Sequence, residues 1–265
     1  MLKLNTLYFE DCLTGMERIP DKSIDMILCD LPYGTTKNRW DVVIPFDLLW
    51  KQYERIIKDN GAIVLTAAQP FTTDLISSNR KLFKYSLTWQ KTLPTGFLNA
   101  KKQPLRCHED IVVFYKKQPV YNPQKTMIDR KDVGRVRKNS GAWDGYNEFR
   151  RDDWQWKEDG TRYPTSVVKI SNWNGALFGN TNNATKHPTQ KPVPLFEYLI
   201  RTYTNEGDLV LDNCMGSGTT AIAAMNANRN WIGFENDANH FNNAQSRIQL
   251  KLSPKGEGFS PTPQN

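Results

Sequence analysis

Two short segments, Asp30-Leu31-Pro32-Tyr33-Gly34 and Asp212-Asn213-Cys214-Met215-Gly216-Ser217-Gly218-Thr219, each follow an apolar run and lie most of the chain apart. The first joins a carboxylate, a stiff turn and an aromatic ring, a set suited to gripping a flat ring that bears an amino group. A nitrogen conjugated to such a ring is a poor nucleophile because its lone pair is delocalised. Acceptors on its two N–H bonds favour pyramidal geometry and stabilise the positive charge that grows during attack, each group supplying ~3 kcal/mol. Asp30 Oδ and the Leu31 carbonyl are the candidate acceptors, Pro32 stiffens the turn, and Tyr33 offers a stacking face. No strong general base is needed before attack. The same pentapeptide also reads as a plain β-turn with Pro and Gly in favoured places.

In the second segment the glycines sit between a strand and a helix, where they allow close backbone approach, and the helix N-terminus presents free N–H groups to an anionic moiety. Glu235 ends the next strand, about 20 residues on, placed to accept hydrogen bonds from both hydroxyls of a ribose. The pattern fits any cofactor with an adenosine half, nicotinamide dinucleotides included, and an ordinary tight turn followed by a surface Glu would look similar. The order strand, loop, helix, strand, acid favours the cofactor.

The elements that must position these residues follow βαβ rhythm. Leu4 to Phe9, Ile24 to Cys29 and Ala62 to Thr66 read as strands, with helical periodicity from Phe46 to Lys58 that Asn60-Gly61 is expected to stop. Tyr85 to Gln90 and Ile111 to Tyr115 add two β-rich runs. From about 118 to 186 the periodicity lapses, and aromatics (Trp143, Tyr146, Trp154, Trp156, Trp173) interleave with basic residues (Arg130, Lys131, Arg135, Arg137, Lys138, Arg150, Arg151). A stretch that long and that rich in Trp reads as an inserted recognition region. The rhythm returns with a helix from Val193 to Tyr203, a strand Asp208 to Leu211, a helix Thr219 to Asn228, a strand Trp231 to Glu235 and a final helix opened by Asp237. The expected division is therefore 1–117, the insertion 118–186, 187–252, and a frayed tail 253–265.

A chain of 265 residues suits one large α/β domain carrying an insertion. Its net charge of +7 favours a polyanionic partner such as nucleic acid, although charge also serves solubility. The four cysteines lack C-x-x-C spacing and there are three histidines, so neither a zinc site nor a disulfide framework is expected, and adjacent Cys107 and His108 do not change that. No run approaches ~18 apolar residues, so no membrane span is expected, and a reduced cytoplasm is the expected compartment.

Taken together these residues resemble the S-adenosylmethionine-dependent DNA amino-methyltransferases, in the permuted arrangement where the catalytic motif precedes the cofactor motif. Asp30-Leu31-Pro32-Tyr33 matches the family's D-P-P-Y signature, and Asp212 to Thr220 matches its D-P-F-x-G-S-G-T-T loop. His187-Pro188-Thr189-Gln190-Lys191-Pro192 matches an H-P-T-Q-K-P segment beside the methionine end of the cofactor. Asp11-Cys12 matches a G-D-C segment whose acid lies by the adenine, and His108-Glu109 matches a histidine-glutamate pair. Leu31 stands where the family has its first proline, Asn213 and Cys214 where it has Pro and Phe, and Glu10 where it has glycine.

The resemblance implies a Rossmann-like methyltransferase fold, with a mostly parallel, doubly wound sheet and a target-recognition region at the insertion. It implies S-adenosylmethionine as cofactor, held by Asp11, Cys12, Thr189, Lys191, Asp212, Asn213, Cys214, Gly216, Ser217, Gly218, Thr219 and Glu235, with no metal. It implies catalysis by Asp30, Leu31, Pro32 and Tyr33 on an exocyclic amino group of a base rotated out of double-stranded DNA at a specific site. Adenine is favoured because members acting on cytosine usually have Ser where this chain has Asp30. It leaves room for a homodimer, for a cognate restriction nuclease, and for a bacterial or phage origin. Rival readings are a cytosine amino-methyltransferase, an enzyme acting on protein glutamine amides, a nicotinamide-dependent oxidoreductase and a catalytically dead DNA-binding module.

Overall fold

Strands covered on both faces read as near-continuous apolar runs, and the central strands here do so. In the computed structural model, which describes residues 2–36, 38–127, 160–172 and 190–252, the elements begin with β1 (Thr6–Phe9), α1 (Cys12–Glu17), β2 (Ile24–Asp30), α2 (Phe46–Ile56), β3 (Ile57–Ala67), α3 (Phe71–Ser78) and β4 (Phe83–Thr95). After a 3-10 turn at Phe97–Asn99 come β5 (Arg106–Phe114), β6 (Thr126–Met127), β7 (Thr161–Arg162), β8 (Val167–Lys169), α4 (Val193–Tyr203), β9 (Leu209–Asp212), α5 (Thr219–Asn226), β10 (Asn230–Glu235) and α6 (Ala238–Leu252).

The described residues within 1–122 and 166–265 form one compact unit, and those within 123–165 another. The first holds an eight-stranded sheet in the order β1-β10-β9-β2-β3-β5-β4-β8. The five strands from β1 to β3 are mutually parallel, β5 runs antiparallel between β3 and β4, and β8 pairs parallel to β4. Period-2 alternation sends Ile27 and Cys29 of β2 to the side of α1, α2 and α3, and Met26 and Leu28 to the side of α4, α5 and α6. Each such fully buried aliphatic side chain contributes about 1.5–3 kcal/mol. The fold is the expected mostly parallel, doubly wound α/β sheet. In the second unit β6 and β7 pair antiparallel, and Lys125 Nζ lies 4.9 Å from the centre of the Tyr163 ring. The insertion residues from Arg130 to Trp156 and Trp173, and the tail, lie outside the described residues.

One local expectation fails. Helix α2 ends at Ile56, and Ile57 is already extended (φ −71°, ψ 136°), so Asn60-Gly61 lies inside β3 rather than stopping a helix. Pairing with β2 outranks the local signal: Ile24 faces Ile57 but Met26 faces Ala62, so the excess residues of β3 bulge out between these pairs. Gly61 is needed there because a Cβ would sit 2.8 Å from the Asp25 carbonyl oxygen and from the Ile57 side chain. Helices α1 and α3, β8 and the two-stranded β6–β7 pair were not anticipated, and β4 and β5 run beyond the expected ends.

The order of strands creates a switch point. From β2 the chain crosses through α2 to β3 on one side, and from β9 it crosses through α5 to β10 on the other, while β2 and β9 are themselves neighbours. Open α/β sheets take their ligands outside the carboxyl ends of the strands at such a point. Asp30 and Asp212 end the two strands that flank it. Gly61→Ala is expected to lower stability by about 1–3 kcal/mol, as overpacking does. Urea denaturation with an unchanged midpoint would contradict the close approach.

Candidate active site

Along the carboxyl edge of the sheet, the ends of β1, β10, β9, β2 and β3 bring Asp11, Glu235, Asp212, Asp30 and Thr66 into one row. Asp30 stands between Asp212 and Thr66 in it. Its Oδ1 accepts hydrogen bonds from the Tyr33 hydroxyl at 2.8 Å and from Thr66 Oγ1 at 2.5 Å, and its Oδ2 accepts from Lys191 Nζ at 2.7 Å. Burial and the Asp30 charge push the Tyr33 phenol well above its ordinary range, so it stays a donor. The Tyr33 ring stacks on Phe71 of α3, with centroids 4.9 Å apart and planes 23° apart. Leu31 buries its side chain in the core, and Pro32 follows on the half-buried turn.

That turn is fixed by a residue the motif does not contain. The nearly buried Asp41 accepts from the backbone N–H of Gly34 at 2.8 Å and of Thr36 at 2.7 Å. Burial opposes its charge, but these bonds win and hold the carboxyl below its ordinary value. Gly34 has φ +67°, a conformation that favours glycine.

Lys191, expected beside the cofactor, sends its ammonium to two carboxylates. It bonds Asp30 and lies 3.3 Å from Glu109 Oε2, and Glu109 in turn pairs with Lys91. Burial disfavours the ammonium, but the Asp30 and Glu109 charges outweigh it and raise the Lys191 pKa above its ordinary value. Its backbone carbonyl accepts from Thr219 Oγ1 at 3.2 Å, so the same residue touches the glycine loop. Thr189 and the rest of the His187 to Thr189 segment lie outside the described residues.

The glycine loop is held from within. Asp212, 2% exposed, accepts from Cys214 N at 3.0 Å and from the Thr220 hydroxyl. Glu235 accepts from Gly216 N and Asp237 N, both at 2.8 Å. Arg247 of α6 donates to the Ser217 carbonyl at 2.7 Å. Gly216 (φ +54°) and Gly218 (φ +80°) adopt the left-handed conformation, and a Cβ on Gly218 would lie 3.3 Å from Ala244 of α6. Asn213, also 2% exposed, accepts from the Tyr53 hydroxyl at 2.5 Å, and its amide meets Cys12 Sγ at 3.7 Å and Cys214 Sγ at 3.4 Å. The side chains of Cys12, Asp212 and Asn213, expected at the cofactor, are buried. Asp11 is the N-cap of α1, accepting from Leu13 N at 3.0 Å and Thr14 N at 3.2 Å.

The arrangement sets a partly exposed carboxylate on one side of the switch point and a glycine loop on the other. Thr66, Lys91, Asp41 and Arg247 carried no sequence signal. Among the described residues no three His, Cys, Asp or Glu could hold a metal ion, and no helix is long and apolar enough to cross a membrane.

Burial pushes the Asp212 carboxyl up to about 6, against hydrogen bonds from Thr220, the Cys214 backbone and the Cys29 thiol. A raised value means the folded state prefers the protonated form, so the stabilisation is full below the ordinary carboxylate value and is lost as pH rises through about 6. Between about pH 4 and about pH 7 this group is expected to cost up to about 3 kcal/mol, a loss that Asp212→Asn removes. Denaturation curves with the same pH slope in both proteins would refute it.

The DNA methylase family profile, N6_N4_Mtase, matches residues 24–246. The type II methyltransferase M1.MboII of Moraxella bovis is 29% identical over 275 residues, covering 96% of this chain and 100% of that protein. The DNA adenine methyltransferase YhdJ of Escherichia coli K12 is 27% identical over 266 residues, covering 92% and 83%. Among solved structures, an M1.HpyAVI–SAM complex aligns with TM-score 0.61 at 24% identity, covering 92% of this chain and 99% of that one. The cytosine-N4-specific PvuII DNA methyltransferase aligns with TM-score 0.66 at 18% identity, covering 96% and 88%. These two share the fold. With its profile match spanning most of the sheet and both ligand loops, the chain belongs to the N6/N4 DNA methylase family, the S-adenosylmethionine-dependent DNA amino-methyltransferases.

Proposed function

We propose that the chain methylates the N6 amino group of adenine at a specific site in double-stranded DNA, on a base rotated out of the helix. One observation carries the proposal: the Asp30 carboxylate stands at the sheet's switch point and is joined, through Lys191, to the glycine loop.

The residues fit the cofactor. Among the described residues a Cβ on Gly216 would meet only the Cys214 carbonyl, at 3.9 Å, so the loop backbone is open to close approach. Glu235 stands at the end of β10, where a ribose would need it, and each of its oxygens keeps a lone pair beyond its backbone bond. Asp11, just past the end of the neighbouring β1, would lie by the adenine, and the segment holding Thr189 and Lys191 beside the methionine end. S-adenosylmethionine supplies an electrophilic methyl group on a sulfonium.

The protein does the rest by positioning and charge. Among the described residues Asp30 Oδ2 accepts only from Lys191, so it keeps a lone pair for one N–H of the amine. Thr66 and Lys191 then keep the carboxylate aimed, and the Leu31 carbonyl takes the second N–H. Positive charge growing on the nitrogen is stabilised by Asp30, and no side chain need abstract a proton first. Extrusion from the stack costs a few kcal/mol, which stacking on Tyr33 helps offset. Residues 118–186 would read the site, with arginines and lysines on phosphates and some on base edges.

Adenine is supported by Asp30 itself and by the named activity of YhdJ. Cytosine N4 is the second reading, supported by the PvuII enzyme's named activity. Sequencing DNA from expressing cells with a method that reports modified bases decides between them: N6-methyladenine at one site is expected, and N4-methylcytosine would overturn the assignment. Asp30→Ala is expected to slow labelled-methyl transfer at least about 100-fold, with S-adenosylmethionine affinity within about two-fold by calorimetry. Glu235→Ala is expected to weaken that affinity several-fold, and unchanged affinity would refute the ribose role.

A further inference from the structure

The hairpin between β4 and β5 has a composition that the methyl-transfer site does not use. Every residue from 92 to 108 is exposed, yet its turn carries Phe97 at 76% and Leu98 at 85% exposure. Gly96, at φ +86°, opens the turn in a conformation that favours glycine. Lys101, Lys102 and Arg106 follow the apolar pair, and the stretch contains no acid before Glu109. Isolated apolar side chains on a surface need no explanation, but two large adjacent ones at a tip flanked by cations alone call for a polyanion with an apolar interior. A duplex is such a partner: phosphates outside, stacked bases within.

Placement joins this tip to the catalytic edge. Strand β5 is antiparallel to β3, with Ala67 opposite Asp110, so the hairpin projects past the carboxyl ends of the parallel strands. Trp89 faces Glu109 across its base, and Glu109 shares Lys191 with Asp30. The base is braced: Asn172 bonds both the N–H and the carbonyl of Leu93, at 2.9 and 3.0 Å, and Trp89 Nε1 donates to the Ile170 carbonyl at 2.8 Å. A rigid base carrying an apolar tip has the build of the side-chain wedges that enter base stacks.

We infer that the Phe97–Leu98 tip enters the duplex beside the target base and fills the space that base leaves, while Lys101 and Lys102 hold the flanking phosphates. The inference rests on the proposal that the base is rotated out. The test uses the full chain and a duplex carrying the site identified by modified-base sequencing. Both tip residues are exposed, so Phe97→Ala/Leu98→Ala should keep its melting temperature and its affinity for S-adenosylmethionine. On a fully paired duplex it should methylate at least about ten-fold more slowly than the parent, and on the same duplex with an abasic site opposite the target it should recover most of that loss, because extrusion is then already cheap. 2-Aminopurine at the target position should brighten with the parent and not with the variant. Lys101→Ala/Lys102→Ala should make the dependence of binding on salt shallower by about one unit of slope per lysine.

Equal rates of variant and parent on the paired duplex would overturn the inference. So would an equal defect on both duplexes, or a variant that has lost only self-association by sedimentation. If the parent methylates DNA without any 2-aminopurine response, base rotation fails; a response retained by the variant sinks the wedge alone.

Discussion

A single ion pair makes one site out of two distant stretches of chain. Lys191 follows the insertion and Asp30 precedes it, 161 residues earlier, and their contact closes the gap at 2.7 Å. Taking an ammonium out of water is costly, and attraction repays this only when the geometry is good and the remaining bonds are made. Here alternation balances the charges: Lys91, Glu109, Lys191 and Asp30 form a chain of opposite charges with no net excess, and Glu109 Oε2 meets Lys191 as an ion pair without a hydrogen bond. Removing any one member leaves a partly buried charge uncompensated, so the quartet is also a point of vulnerability.

The two ligand loops are held by one device used twice. Asp41 accepts the backbone N–H groups of the turn after Tyr33, and Asp212 and Glu235 accept those of the glycine loop. Carboxylates on backbone donors fix loop shape before a ligand arrives, so the ordering is not charged against binding. The arrangement explains why conspicuous acids can sit at a site without facing into it. Asp212 is 2% exposed, and its contribution is the path of the backbone between β9 and α5.

The corrections share a cause. Asn60-Gly61 is a good helix stop by local rules, yet the chain had already left the helix, because β2 offered Ile57 a partner. Helix α3 has eight residues, too few to display a period, and its Phe71 shows its use only as the surface on which Tyr33 stacks. The long Lys191 side chain likewise goes to the nearest opposite charges, and those are supplied by β2 and β5.

The sequence by itself determined the central strands and the motifs: apolar runs long enough to be buried strands, a glycine pair that only a tight strand-to-helix turn would use, and Asp30 with Tyr33 at one fixed spacing. These are local properties, set by backbone sterics and by which side chains avoid water. What only the tertiary structure decided is which groups meet. Thr66 on Asp30, Lys91 on Glu109, Asp41 under the turn and Arg247 behind the glycine loop carry no mark in their own neighbourhoods. Strand order brings them together, and contacts between distant residues depend on register and burial, which no short stretch of chain encodes.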